Sequence, residues 1–151
     1  MTKRQNPLSK PQSQLVLLIA GEALDFDAVS EALGLASTDT RRKGEIINRL
    51  PLIVAESDEW YHEVELTESN DVDTAMNDLL ETLAKHKDKL AALQERYTII
   101  LRMHVKSDYA RIFYRLMPDT LARLAKTGVP LEVSVLSWGR MPFQTGDEEA
   151  R

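Results

Sequence analysis

From Thr98 to Lys106 the chain alternates with a period of two: Ile99, Leu101, Met103 and Val105 fall on one side, and Thr98, Ile100, Arg102, His104 and Lys106 on the other. Successive side chains of a strand point to opposite faces, so this pattern predicts a half-buried strand. The segment before it keeps a different period. Val72, Met76, Leu79, Leu83, Leu90 and Leu93 form one stripe of a helix expected from about Asp71 to Arg96, with Lys85, Lys87 and Lys89 among its polar positions. A strand with one apolar face and a long helix with one apolar stripe bury each other, which restricts the chain to a layered α+β architecture.

The remaining segments fit that frame. "LVLLIA", Leu15 to Ala20, predicts a fully apolar strand. A short helix follows, capped by Asp25 or Asp27, with Val29, Ala32 and Leu33 on one face and Gly34 as its stop. "PLIVAESDEWYHEVEL", Pro51 to Leu66, predicts a hairpin turning near Glu56 to Glu59, with Trp60, His62, Val64 and Leu66 on one face and Tyr61, Glu63 and Glu65 on the other. A second hairpin is expected over 98–116: "SDY" at 107–109 turns the chain, and Ile112, Tyr114 and Leu116 oppose Arg111, Phe113 and Arg115. Pro118 suits the first turn of a third helix, with Leu121, Leu124 and Ala125 facing inward and Gly128 as its stop, before a last strand from Leu131 to Leu136. The expectation is a two-layer α+β sandwich, ferredoxin-like. A mainly antiparallel sheet of four to six strands is covered by one long and two short helices, with Leu79, Leu83, Ile99, Leu101 and Val133 in one core. Polar, proline-bearing residues 1–13 and the charged residues 139–151 read as flexible ends around a single domain at 14–138.

Composition narrows the function classes. No cysteine is present, which excludes disulfides, thiolate metal sites and thiol chemistry, and fits a reducing cytoplasm. The six-residue run at Leu15–Ala20 is far below the roughly 20 residues of a membrane helix. It is also shorter than the roughly 7–15 of a signal core, so a strand is expected there instead. A net charge of −5 argues against a dedicated nucleic-acid binder.

The order of motifs has a counterpart. A strand followed by "ALDFDAVSEALGL", a "KGE" loop, a strand opening on Trp60, a long helix and the terminal "LMPDTLARLAKTGVPLEVSV" resemble the bacterial family catalogued as domain of unknown function 4279, over about residues 15–138. Two departures stand out. Met117 occupies the place of a usual capping serine, and the segment between Lys43 and Trp60 is rich in aliphatic residues. The resemblance implies a small α+β bacterial protein without an assigned reaction and brings no catalytic residues.

The candidate sites are few. "RRKGE" sets Arg41, Arg42 and Lys43 beside Gly44, a glycine able to take positive φ, and could offer donors to a phosphate or an acidic partner. With one glycine it lacks the G-x-x-x-x-G-K-[ST] frame of a phosphate loop, and the plain alternative is a turn with solvated charges. On the polar face of the 98–116 hairpin, Arg102, His104, Lys106, Arg111 and Arg115 surround Phe113 as in single-stranded RNA platforms. Against that, Glu63, Glu65 and Glu132 could neutralise the arginines by cross-strand pairing. His62, His86 and His104 fall on separate elements, so no metal is expected. "HEVE" lacks the second histidine of H-E-x-x-H. No G-x-S-x-G elbow or paired-carboxylate motif marks a catalytic residue, and no cofactor is implied. Trp60 alternates with Val64 and Leu66, which predicts a core residue; exposed beside the basic loop it would anchor a partner. The chain is thus expected to be a noncatalytic interaction or regulatory protein in the cytoplasm, of which a protein of the immunity type is one form, with a protein partner. The alternatives are a small-ligand or anion-binding domain using Arg41 to Gly44, and an unassigned enzyme.

Overall fold

A computed structural model describes residues 13–109 and 112–140. In chain order the elements are β1 (Ser13–Gly21), α1 (Phe26–Leu33), β2 (Asp39–Arg41), β3 (Ile46–Arg49), β4 (Leu52–Val54), β5 (Asp58–Leu66), α2 (Val72–Lys85), α3 (Lys87–Arg96), β6 (Thr98–Tyr109), α4 (Pro118–Thr127) and β7 (Leu131–Arg140). Five strands form one open sheet in the order β2-β5-β1-β6-β7, and β3 and β4 form a separate ribbon. All pairs of the main sheet are antiparallel except β6–β7. The ferredoxin-like element is the split unit β5–α2–α3–β6, whose two strands flank the oppositely directed β1. The β6–α4–β7 unit is contiguous instead.

Leu15, Leu17 and Ile19 of β1 face the helices together with Trp60, Ile99, Leu101, Met103 and Val105, and Leu79, Leu83 and Leu90 close over them. α1 starts where Asp25 accepts from the Ala28 amide at 3.0 Å and ends at Gly34, whose φ of 63° is left-handed. Asp71 caps α2 through the Thr74 amide at 2.9 Å.

Several expectations are corrected. The 51–66 hairpin does not form: β5 pairs with β1 along its whole length, and residues 52–54 pair with 46–49. The 98–116 hairpin does not form either, because 107–109 extend β6 and its outer edge takes β7 in parallel, Leu101 opposite Leu131 through Lys106 opposite Leu136. Residues 112–117 carry no strand and lead into α4; Arg111 lies outside the described residues. The long helix is two. At His86, φ −121° and ψ 28° interrupt the helical run, and a Cβ added to Gly34 would meet the His86 Nε2 at 2.8 Å. The end of α1 is therefore pressed against the break, where the chain turns from α2 into α3. Val133 is 54% exposed rather than core. β7 is the outer strand, and beyond Leu131 the described residues close over little of it. Ser13 and residues 139–140 belong to strands, and the rest of both expected flexible ends lies outside the described residues.

Met117 has no side-chain cap to offer α4. Asp73 of α2 supplies one from outside: it accepts from the Met117 amide at 2.8 Å and from the Thr120 hydroxyl at 2.7 Å. The Asn77 amide donates to the same fully buried hydroxyl at 2.6 Å. The missing local cap thus becomes a tertiary clamp between two helices.

Candidate functional site

The basic stretch runs along the start of β5. Arg41, opposite Glu59 in the β2–β5 ladder, donates to the Glu59 carboxylate at 3.1 Å and to the Tyr61 hydroxyl at 3.2 Å. Tyr61 in turn donates to Glu59 at 2.5 Å. Burial first, then this bond to a carboxylate, pushes the Tyr61 hydroxyl up to about 12. Arg42 turns the other way. Its guanidinium lies 3.9 Å from the Phe26 ring centroid and donates to the Leu24 carbonyl at 2.7 Å and to Asp58 at 3.0 Å.

Asp58 is the hub. Only 7% exposed, it also accepts from the Lys43 amide at 2.9 Å and the Leu24 amide at 3.0 Å. These backbone donors, Lys43 first, hold its carboxyl below the usual carboxylate value, with Arg42 adding to the effect. One side chain at the entry of β5 therefore ties the β1–α1 loop to the β2–β3 loop. Lys43 reaches Glu22 at 2.9 Å across a largely exposed pair. Gly44 takes φ 87° and donates to the Ala55 carbonyl at 2.8 Å. Open space surrounds the position of a Cβ there, so backbone conformation alone demands the glycine.

Arg41, Arg42, Lys43 and Gly44 are thus brought together, each cation with an internal carboxylate. Trp60 is separated from them as a surface. It is fully buried, donates to the Ser30 hydroxyl at 3.0 Å and stacks on His62 at 6.3 Å. In the anchor role it is corrected, because it shows no surface to a partner. The platform around Phe113 is absent with its hairpin, and Arg102 is held by Glu132 at 2.7 Å.

Sequence reasoning missed the segment beyond the loop. β3 and β4 leave the main sheet as an arm anchored at buried Ala55, whose amide donates to the Glu45 carbonyl at 2.8 Å. Beyond that anchor its aliphatic side chains stand in solvent: Leu50 is 89% exposed, Leu52 70% and Ile46 54%, with Ile47, Ile53 and Val54 at 42–45%. The density of aliphatic residues between Lys43 and Trp60, in two runs separated by Asn48 and Arg49, was the available signal. A second feature is a shallow cleft of about 900 Å³ between α2, α3 and α4. Its floor leucines, Leu80, Leu83 and Leu90, are 1–3% exposed and offer a ligand almost nothing. Among the described residues no buried side-chain polar atom lacks a hydrogen-bond partner, so no unsatisfied group marks a ligand site.

Residues 11–138 match the family model described as Domain of unknown function (DUF4279). The chain belongs to the DUF4279 family. No curated protein and no solved structure matches it. In this DUF4279 chain the matched span covers the loop, the arm and the four described helices. Among the described residues no helix is long and apolar enough to cross a membrane.

Proposed function

We propose that this chain is a noncatalytic protein-interaction or regulatory module whose contact element is the β3–β4 arm. The observation that carries the reading is the exposure of six aliphatic side chains on a ribbon of nine residues, Leu50 and Leu52 most of all. Apolar side chains gathered in solvent on one element, rather than scattered singly over the surface, mark an interaction site. The anion-binding alternative has less support, because a ligand at Arg41 to Lys43 must displace Glu59, Asp58 and Glu22 from cations they already hold.

The reading is tested by placing a photoreactive phenylalanine analogue at position 52 in producing cells, with position 89 on the exposed face of α3 as control. A discrete adduct from position 52 that is absent from position 89 supports it. Equal or absent adducts at the two positions overturn it.

A further inference from the structure

We infer that the occupant of the arm is a second copy of this chain, the two arms lying side by side in opposite directions about a two-fold axis. This rests on the interaction reading above and names its partner. The arm's charges are arranged for it. Glu45 and Glu56 flank the base, Arg49 sits next to the tip, and all three are exposed. None of them joins an ion pair among the described residues.

From Glu45 to Arg49 an extended strand spans roughly 13 Å. Two arms overlaid in opposite directions bring each Arg49 to the partner's Glu45 and Glu56, while the aliphatic side chains cover one another. An isologous contact needs only a self-complementary patch, and a cation at one end with carboxylates at the other is one. An anionic lipid surface fits less well: the chain carries a net charge of −5, and Arg49 is the arm's single cation.

The experiment is sedimentation velocity on the full chain over a concentration series. The wild-type protein is expected at twice the 17.1 kDa chain mass. Arg49→Glu, which sets like charges against each other, raises the dissociation constant roughly tenfold or more. Adding Glu45→Arg and Glu56→Arg to that same chain restores association, which a purely apolar contact or a misfolded arm would not do. Leu50→Asp with Leu52→Asp leaves the single-chain mass with an unchanged circular dichroism spectrum.

A wild-type chain that stays at single mass into the high micromolar range overturns the inference. So does a triple charge reversal no tighter than Arg49→Glu, or an aspartate double variant that remains dimeric. The photoadduct separates the two levels of reading: one at twice the chain mass supports the second copy, and one with a different protein overturns it while leaving the interaction reading standing. Flotation of a monomeric wild-type chain with vesicles of phosphatidylcholine and anionic phosphatidylserine overturns it in favour of lipid.

Discussion

Residues 41–45 carry three cations and a carboxylate, yet their cations are matched within the fold. Residues 46–54, six of whose nine side chains are aliphatic, stand in solvent. The two stretches are neighbours in the chain and leave the same anchor, where Gly44 and Ala55 are hydrogen-bonded. They differ in what they face. The basic stretch runs beside β5, where Glu59 and Asp58 accept its donors, and the apolar stretch projects from the sheet with, among the described residues, only its own second strand as a neighbour in a ladder. Polarity alone therefore does not give exposure: the cations of the charged segment have carboxylate partners inside the fold, and the aliphatic segment stands in solvent. Buried polar groups persist when each has a partner, whereas a short ribbon without a covering layer has nowhere to put its apolar side chains.

The sharpest test of that contrast is Asp58→Ala, expected to lower the melting temperature more than any substitution in the basic stretch or the arm. It strands the amides of Leu24 and Lys43 and releases Arg42. The pH response has its origin in the same group. Its carboxyl titrates below its ordinary value of 3.8 in the fold, so the stability it adds is present above about pH 4. That stability is lost as pH falls through the lowered value. Thermal melts from pH 6 to pH 2 should show a shallower acid loss for Asp58→Asn than for the wild-type protein. Equal slopes would remove Asp58 as the hub.

Gly44→Val comes next, at about 1–2 kcal/mol in denaturant melts, since a side chain is forced into left-handed backbone with no steric clash to add. Arg42→Ala is expected to cost about 1 kcal/mol, through its bonds to Leu24 and Asp58 and its stacking on Phe26. A silent Arg42→Ala would return the basic stretch to a merely solvated turn. The smallest effect belongs to the arm. Leu50→Asp with Leu52→Asp should change folding stability by no more than about 0.5 kcal/mol per site when measured below the association midpoint. A loss as large as that of Asp58→Ala would put the arm inside the cooperative core and end the contrast.

Much of the frame was legible from local pattern. Asp25 and Gly34 bound α1 as their chemistry requires, Pro118 and Gly128 bound α4, and the alternation of Ile99, Leu101, Met103 and Val105 points them into the core. These signals are read within a few residues. The partner of β5 and the cap of α4 are not, because each depends on a group far along the chain: β1 and Asp73. The candidate site was legible in half. The Arg41 to Gly44 stretch was singled out for its donors, while the carboxylates that occupy those donors come from other segments and could not be matched to it by spacing.

What this amino-acid sequence determines by itself is the set of elements and which face of each is apolar, since period, caps and stops act over one or two turns. Tertiary structure alone decides exposure. Whether Arg42 finds Asp58, whether Trp60 is an anchor or a core residue, and whether Leu50 is covered depend on strand order and on where the helix layer ends. Burial is a property of what lies opposite a side chain, and for each of these three residues the deciding neighbour is either distant in the chain or not found among the described residues.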